Sequence, residues 1–239
     1  MLFSDDCFVK DICKKRQSGN SACLCGNVYC PKLFKLEILY NNALLSPVQR
    51  QRTQLRLDAD GSDRDAFNFL KQVEENIVSF VKEGRNIYIF SHITGNGKSA
   101  WALRLLQSYF NKIWYNSELT CRGLYVNVPR FLLSLKDNIS ERSEYIEHIK
   151  KYILTADLVV WDEMGYKNVT PFEAENLLNF INARIDLGKS NIYTSNLFPE
   201  ELREKVGDRL YSRVINLSEN IMFVGADKRV LKNGSMSNS

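Results

Sequence analysis

The stretch Asn86 to Ala100, NIYIFSHITGNGKSA, constrains the fold more than any other part of the chain. Ile87, Tyr88, Ile89 and Phe90 form a short run of β-formers that stops at polar residues. A loop with two glycines follows, then Lys98-Ser99, then a helix-compatible run from Ala100 to Phe110. Strand, glycine loop, Lys-Ser and helix, in that order, make the phosphate-binding loop of a nucleotide hydrolase. Gly95 and Gly97 let the backbone turn tightly and bring its N–H groups against phosphate oxygens. The start of the helix adds partial positive charge at the same point. Thr94, Gly95, Asn96, Gly97, Lys98, Ser99 and Ala100 are therefore expected to wrap the phosphates of ATP. Lys98 would hold the β- and γ-phosphates, and the Ser99 hydroxyl would ligate Mg²⁺. The full pattern G-x-x-x-x-G-K-[ST] places a glycine at position 92, where this chain has His92; the expected consequence is an altered entry into the loop. A Gly-x-Gly-Lys-Ser turn also arises by chance, and the strand before it and the helix after it favour the phosphate-binding reading.

A second feature supports the first. Leu158, Val159, Val160 and Trp161 form a fully apolar run, as expected of a parallel strand covered on both faces, and it ends in Asp162-Glu163. Carboxylates at such a strand end lie where ligands of open α/β sheets bind. Asp162 is expected to hold Mg²⁺, directly or through water, and Glu163 to polarise an attacking water. Asn191 to Thr194 reads as another strand, and Asn196 just beyond it can orient a water against the γ-phosphate; asparagines also sit at strand ends simply because they make turns. Arg209 and Arg213 stand four apart on one face of a short helix, where ordinary solvated charge is the plainer reading.

With 239 residues, the chain suits one medium domain plus a small appendage. Its net charge of +4 is a mild basic bias, which permits nucleic-acid contact without arguing for it. No apolar run approaches the roughly 20 residues that span a bilayer, and MLFSDDCFVK lacks the layout of a signal peptide. A cytoplasmic location without membrane contact is the expectation, in a compartment where thiols stay reduced.

Five of the six cysteines (Cys7, Cys13, Cys23, Cys25 and Cys30) fall in the first thirty residues. In a reducing compartment that crowding points to thiolate ligation of a metal. Tetrahedral Zn²⁺ takes four ligands, and the favoured set is Cys7, Cys13 and Cys30 with either Cys23 or Cys25; an iron–sulfur cluster also uses four thiolates. Cys121 reads as a buried small residue. These observations divide the chain into a cysteine-rich module over residues 1–46, a linker over 47–64, an ATPase domain over 65–232 and a disordered tail over 233–239. Leu33 to Leu45 has helical spacing and is expected to pack on the metal module. Helices are expected from Asp65 to Gly84, over Arg130–Asn138 and Tyr145–Leu154, and over Phe172–Leu187, opened by Thr170-Pro171 and closed by Gly188. Strands are expected at Gly123–Val128 and Ile221–Val224.

ITGNGKS, VVWDEMG, YTSN and DRLYSRV together resemble the DnaC/DnaI-type helicase loaders, a branch of the AAA+ ATPases. The resemblance covers roughly residues 65 to 225, and it points to phage- and plasmid-borne loaders of this size as the nearest relatives. It implies an α/β AAA+ P-loop core with a central, mostly parallel five-stranded sheet. Only 26 residues follow Arg213, so no separate lid domain is expected. It also implies that Lys98 and Ser99 form Walker A, Asp162 and Glu163 form Walker B, and Asn196 is sensor 1. Arg213 would be an arginine finger acting on ATP held by a neighbouring subunit, with Arg209 as its companion, which requires self-association. The cysteine-rich head resembles a zinc-binding helicase-interaction module. The implied partners are a replicative hexameric helicase and single-stranded DNA, with candidate DNA contacts on the helix from Arg130 to Lys136, which includes Phe131. Two other readings remain open: an ATPase helper of a transposase, which binds duplex DNA, and a P-loop small-molecule kinase.

Overall fold

The computed structural model describes residues 31–51, 55, 61–137 and 142–228. The five cysteines assigned to a metal lie outside these residues. Helix α1 (Pro31–Asn42) and the single turn α2 (Pro47–Arg50) precede α3 (Arg64–Glu75), α4 (Ile77–Lys82), strand β1 (Asn86–Phe90) and α5 (Lys98–Ile113). Strand β2 (Gly123–Asn127), α6 (Val128–Asp137), α7 (Glu144–Tyr152) and β3 (Leu158–Met164) follow. The order closes with α8 (Pro171–Asp186), β4 (Ser190–Ser195), α9 (Pro199–Val206), α10 (Asp208–Ile215) and β5 (Glu219–Met222).

The five strands form one sheet in the order β2-β3-β4-β1-β5, and every pairing is parallel. Parallel strands need helical crossovers, which cover both faces. On one face, Ile87, Ile89, Tyr125, Leu158, Val160 and Ile192 pack under α5 with Leu105, Leu106 and Phe110. On the other, Tyr88, Val126, Val159, Trp161 and Tyr193 pack under Phe131 of α6, Ile149 of α7, Ile181 of α8 and Val214 of α10. Both faces of β1 and β4 are buried along their whole length.

Several boundaries differ from the sequence expectation, each for a local reason. The helix expected from Asp65 to Gly84 breaks at Asn76, whose backbone (φ −109°, ψ 21°) leaves the helical region while its Nδ2 donates to Gln72 O at 3.0 Å. The strand expected to run to Val128 ends at Asn127, because the Asn127 Oδ1 accepts the Arg130 N–H at 3.1 Å and starts α6 there. Pro129 then sits in the first helical turn, where no N–H is needed. β5 falls at Glu219–Met222, two residues earlier than expected.

Helix α1 does not stand apart as a piece of the cysteine-rich head. Leu36, Leu39, Tyr40 and Leu45 join the same core as α5, the Tyr125 N–H donates to Ala43 O at 2.9 Å, and the Asn42 carbonyl contacts His148 Nε2 at 2.8 Å. α8 starts as its sequence predicts: Pro171 occupies the first turn, and Thr170 and Glu173 cap each other reciprocally.

Candidate functional site

The site forms at the carboxyl edge of the sheet, where the register sets Phe90, Ser195 and Met164 level with one another. Beyond Phe90 the chain enters the glycine loop. Ser91 is buried, and its Oγ accepts the Ile93 N–H at 3.1 Å and the Asn96 Nδ2 at 2.8 Å, which ties the loop to the strand end. Gly95 and Gly97 take φ of 73° and 110°. A Cβ at Gly97 would meet no atom within 4 Å, so glycine is required there by backbone conformation and not by crowding. Lys98 opens α5, buried, with Nζ donating to Ile93 O at 2.8 Å and Asn96 Oδ1 at 3.2 Å. Thr94 and Ala100 flank this turn, and Ser99 lies in the first turn of the helix.

His92 takes an ordinary negative φ, as it is absent from the positive-φ residues of the chain. The loop entry therefore makes no demand for glycine. The imidazole lies 2.9 Å from Glu201 Oε2 and 4.5 Å from the Phe198 ring, so it joins the loop to the start of α9.

Asp162 and Glu163 are separated by a backbone irregularity that the sequence does not reveal. Between Trp161 and Met164, β3 has one residue more than the facing stretch Tyr193–Ser195 of β4, a β-bulge. The extra residue is Glu163, at φ 64°, the left-handed region that a non-glycine residue rarely adopts. The bulge sends the two carboxylates different ways. Asp162 stays buried on the α5 face, with Oδ1 accepting from Thr194 Oγ1 and Oδ2 from the Tyr125 hydroxyl, both at 2.6 Å. Glu163 is exposed at the strand tip, its N–H donating to Thr194 Oγ1 at 3.1 Å and its Oε2 accepting from Asn127 Nδ2 at 2.8 Å. Burial, followed by the nearby Asp162 carboxylate, pushes the Tyr125 phenol far above its usual range, so it remains a donor.

Thr194, Tyr125 and Asn127 are functional neighbours that sequence reasoning missed. Thr194 and Asn127 occupy strand-end positions in β4 and β2, the signal that could have found them. Asn196 lies exposed just past β4, on a turn held by Ser195 Oγ, which donates to Met164 O at 2.7 Å and accepts the Leu197 N–H at 3.1 Å. After β5 the chain runs back past the loop. Asp63 Oδ1 accepts the Val224 and Gly225 N–H groups at 2.7 and 3.0 Å, and the Lys228 N–H donates to Gly95 O at 3.1 Å.

This donor set fits ATP with magnesium. The loop supplies N–H groups and an ammonium for phosphate. A serine hydroxyl and a carboxylate, as at Ser99 and Asp162, are hard oxygen ligands of the kind Mg²⁺ takes, and Asp162 keeps lone pairs beyond the two held by hydroxyls. Arg209 and Arg213 project from the outward face of α10, whose inner face buries Leu210 and Val214, and neither reaches the phosphate loop through a contact among the described residues. Phe131 is fully buried, 6.4 Å from the Trp161 ring, so it is core and does not present a face to DNA. Among the described residues no cluster of His, Cys, Asp and Glu could hold a metal such as zinc.

Residues 62–221 match the family described as IstB-like ATP binding protein. The chain belongs to that family. No curated protein matches it in sequence. The IstB-like domain is similar to the crystal structure of the DnaC helicase loader (TM-score 0.60, 17% identity, covering 75% of this chain and 100% of that one). It is also similar to DnaI (TM-score 0.56, 17% identity, 81% and 93%). A third likeness is to replication initiator DnaA bound to AMPPCP and single-stranded DNA (TM-score 0.55, 20% identity, 74% and 52%). At these identities the likeness is one of fold. No helix among the described residues is long and apolar enough to cross a membrane.

Proposed function

We propose that this IstB-like protein binds and hydrolyses ATP as a helicase loader, docking on a replicative hexameric helicase and helping to place it on single-stranded DNA. The observation that carries the reading is the fold likeness over the entire DnaC chain and nearly all of DnaI, combined with a phosphate loop, the Asp162-Glu163 strand end and an exposed arginine pair in one domain. The ATP site is the best supported part. Lys98 and the loop amides bind the phosphates, Asp162 and Ser99 hold Mg²⁺, and Glu163 takes the proton from a water that Asn196 orients toward the γ-phosphate.

Arg213, with Arg209 beside it, reaches the γ-phosphate of a neighbouring subunit, and the protein therefore assembles through its ATPase domain. Its exposure, without an ion pair among the described residues, leaves it available for that role. Single-stranded DNA as a ligand draws support from the fold shared with DNA-bound DnaA. The cysteine-rich segment before Pro31 holds zinc and grips the helicase, and the protein works in the cytoplasm.

The test is co-purification with the replicative helicase of the same cell. Because α1 belongs to the core, the truncation must end before Pro31. Removing residues 1–30 is expected to abolish the complex while ATP hydrolysis persists. No complex with the intact protein at micromolar concentration overturns the loader reading. Tight binding to duplex DNA without helicase binding would instead fit the transposase-helper reading, and transfer of labelled phosphate to a metabolite would fit a kinase.

A further inference from the structure

A cavity of about 300 Å³ opens at the pole of the domain opposite the phosphate loop. It lies at the C-terminal end of α5, about 20 Å along that helix from Lys98 at 1.5 Å per residue. Its walls come from α4, the end of α5 and the residues leading into β2, β3 and β4. Four cationic side chains line it, Lys82, Lys112, Arg122 and Lys189, against one carboxylate, Asp157.

The cavity holds four cations against one carboxylate. Elsewhere Arg104 pairs with Glu74, Arg203 with Asp208, and Lys136 and Lys167 share the carboxylate of Glu173. Here Asp157 serves Arg122 at 2.6 Å, Lys189 at 2.9 Å and the Tyr109 hydroxyl at 3.0 Å. Burial raises the Asp157 pKa, but Lys189 and Arg122 outweigh it and hold the carboxyl below its ordinary value, so it counts as one full negative charge. Lys112 reaches the Glu75 carbonyl. Lys82, exposed at the rim, has no hydrogen bond or ion pair among the described residues. Tyr115 and Leu187, also at the rim, are 65% and 58% exposed. Four cations that share one carboxylate in a concave site repel one another, and a bound anion relieves that repulsion. An exposed aromatic ring beside them adds a stacking surface.

We propose that this cavity is a second nucleotide-binding site, taking a ligand that carries a phosphate ester next to an aromatic base: a free mononucleotide or one nucleotide unit of a single strand. The size fits, since ligand pockets begin at about 300 Å³. The proposal rests on the chemistry of this cavity and is independent of the ATP reading.

The test uses the full chain carrying Lys98→Ala, which removes phosphate binding at the glycine loop. Binding of thymidine monophosphate and of a short oligothymidylate is measured by fluorescence anisotropy, with and without Lys82→Gln and Lys112→Gln. Binding by the Lys98→Ala protein, weakened about tenfold or more by the two added substitutions and with a shallower salt dependence, is the expected result. Binding of both ligands assigns the site to free nucleotides, and binding of the oligonucleotide alone assigns it to a strand. No binding of either, or binding indifferent to the substitutions, overturns the proposal. If the double substitution fails to fold, Lys82→Gln alone decides, since Lys82 has no partner among the described residues to lose. Failure here leaves ATP binding by the unsubstituted protein, a separate titration, untouched.

Discussion

Asn127 joins the start of α6 to the tip of β3. Its Nδ2 donates to Glu163 Oε2 at 2.8 Å while its Oδ1 accepts the Arg130 N–H at 3.1 Å. One side chain thus caps a helix and holds the carboxylate proposed to activate water. Any movement of α6 bears directly on the orientation of Glu163.

Replacing that donor without losing the cap separates the two roles. Aspartate caps helices about as well as asparagine, so Asn127→Asp is expected to keep thermal stability close to that of the unsubstituted protein. It places a second carboxylate against Glu163 and should lower kcat by about tenfold or more, part of the roughly 10²–10⁴-fold that a positioned general base supplies. Steady-state ATPase assays beside thermal melts check this. An unchanged kcat would show that the Asn127 contact has no bearing on hydrolysis.

The arginine assignment predicts complementation. Arg213→Ala is expected to leave ATP binding nearly intact and to remove most hydrolysis, on the scale of the roughly 10³–10⁵-fold that arginine fingers contribute in GTPases. Mixing Arg213→Ala with Lys98→Ala protein should restore part of the activity, because one variant keeps the ATP site and the other keeps the finger. Equal loss of binding and hydrolysis in Arg213→Ala would contradict a role in trans.

Acid should loosen the α6–α8 junction. Burial raises the Glu173 pKa, but the Thr170 amide and the Lys167 and Lys136 ammonium groups outweigh it and hold the carboxyl down to about 2, from 4.5. A depressed folded-state pKa contributes stability that is complete above the unfolded value and is lost as pH falls through the folded one. The contribution therefore disappears between about pH 4.5 and pH 2. Denaturant melts across that window should show a smaller acid-dependent loss in Glu173→Gln than in the unsubstituted protein.

The opposite pole depends on a buried cation. Arg184 is fully buried, with Nε donating to Asn191 Oδ1 at 2.7 Å and the guanidinium N–H groups reaching Ile153 O, Ala156 O and Ser190 O. Burial lowers its pKa to about 10, which still leaves it charged at neutral pH. Arg184→Met keeps apolar volume but strands those acceptors, and it should destabilise the fold by about 3 kcal/mol, read from denaturant unfolding.

Much of this architecture was legible in the sequence because two local patterns carry it. The apolar runs ending at Phe90 and Trp161 marked buried parallel strands, and the residues just past them marked the phosphate loop and the acid pair. What could not be read depends on strand register. Glu163 becomes the extra residue of a bulge only when β4 lies beside β3, and Thr194 and Asn127 become its partners only through that pairing. The same limit hid the placement of α1: the spacing of Leu36, Leu39 and Tyr40 gives a helix with an apolar face but not the surface that covers it. Phe131, in a basic stretch, looked available for DNA, and only the packing of Trp161 beneath it shows why it is buried.

The central claim is that Lys98, the loop amides and Asp162 bind one ATP with magnesium. Calorimetric titration of ATP into the protein, with and without Mg²⁺ and again with Lys98→Ala, tests it directly. The expected result is saturable heat at one site per chain, strengthened by Mg²⁺ and abolished by Lys98→Ala. No heat in the unsubstituted protein, or heat that Lys98→Ala leaves unchanged, would contradict it.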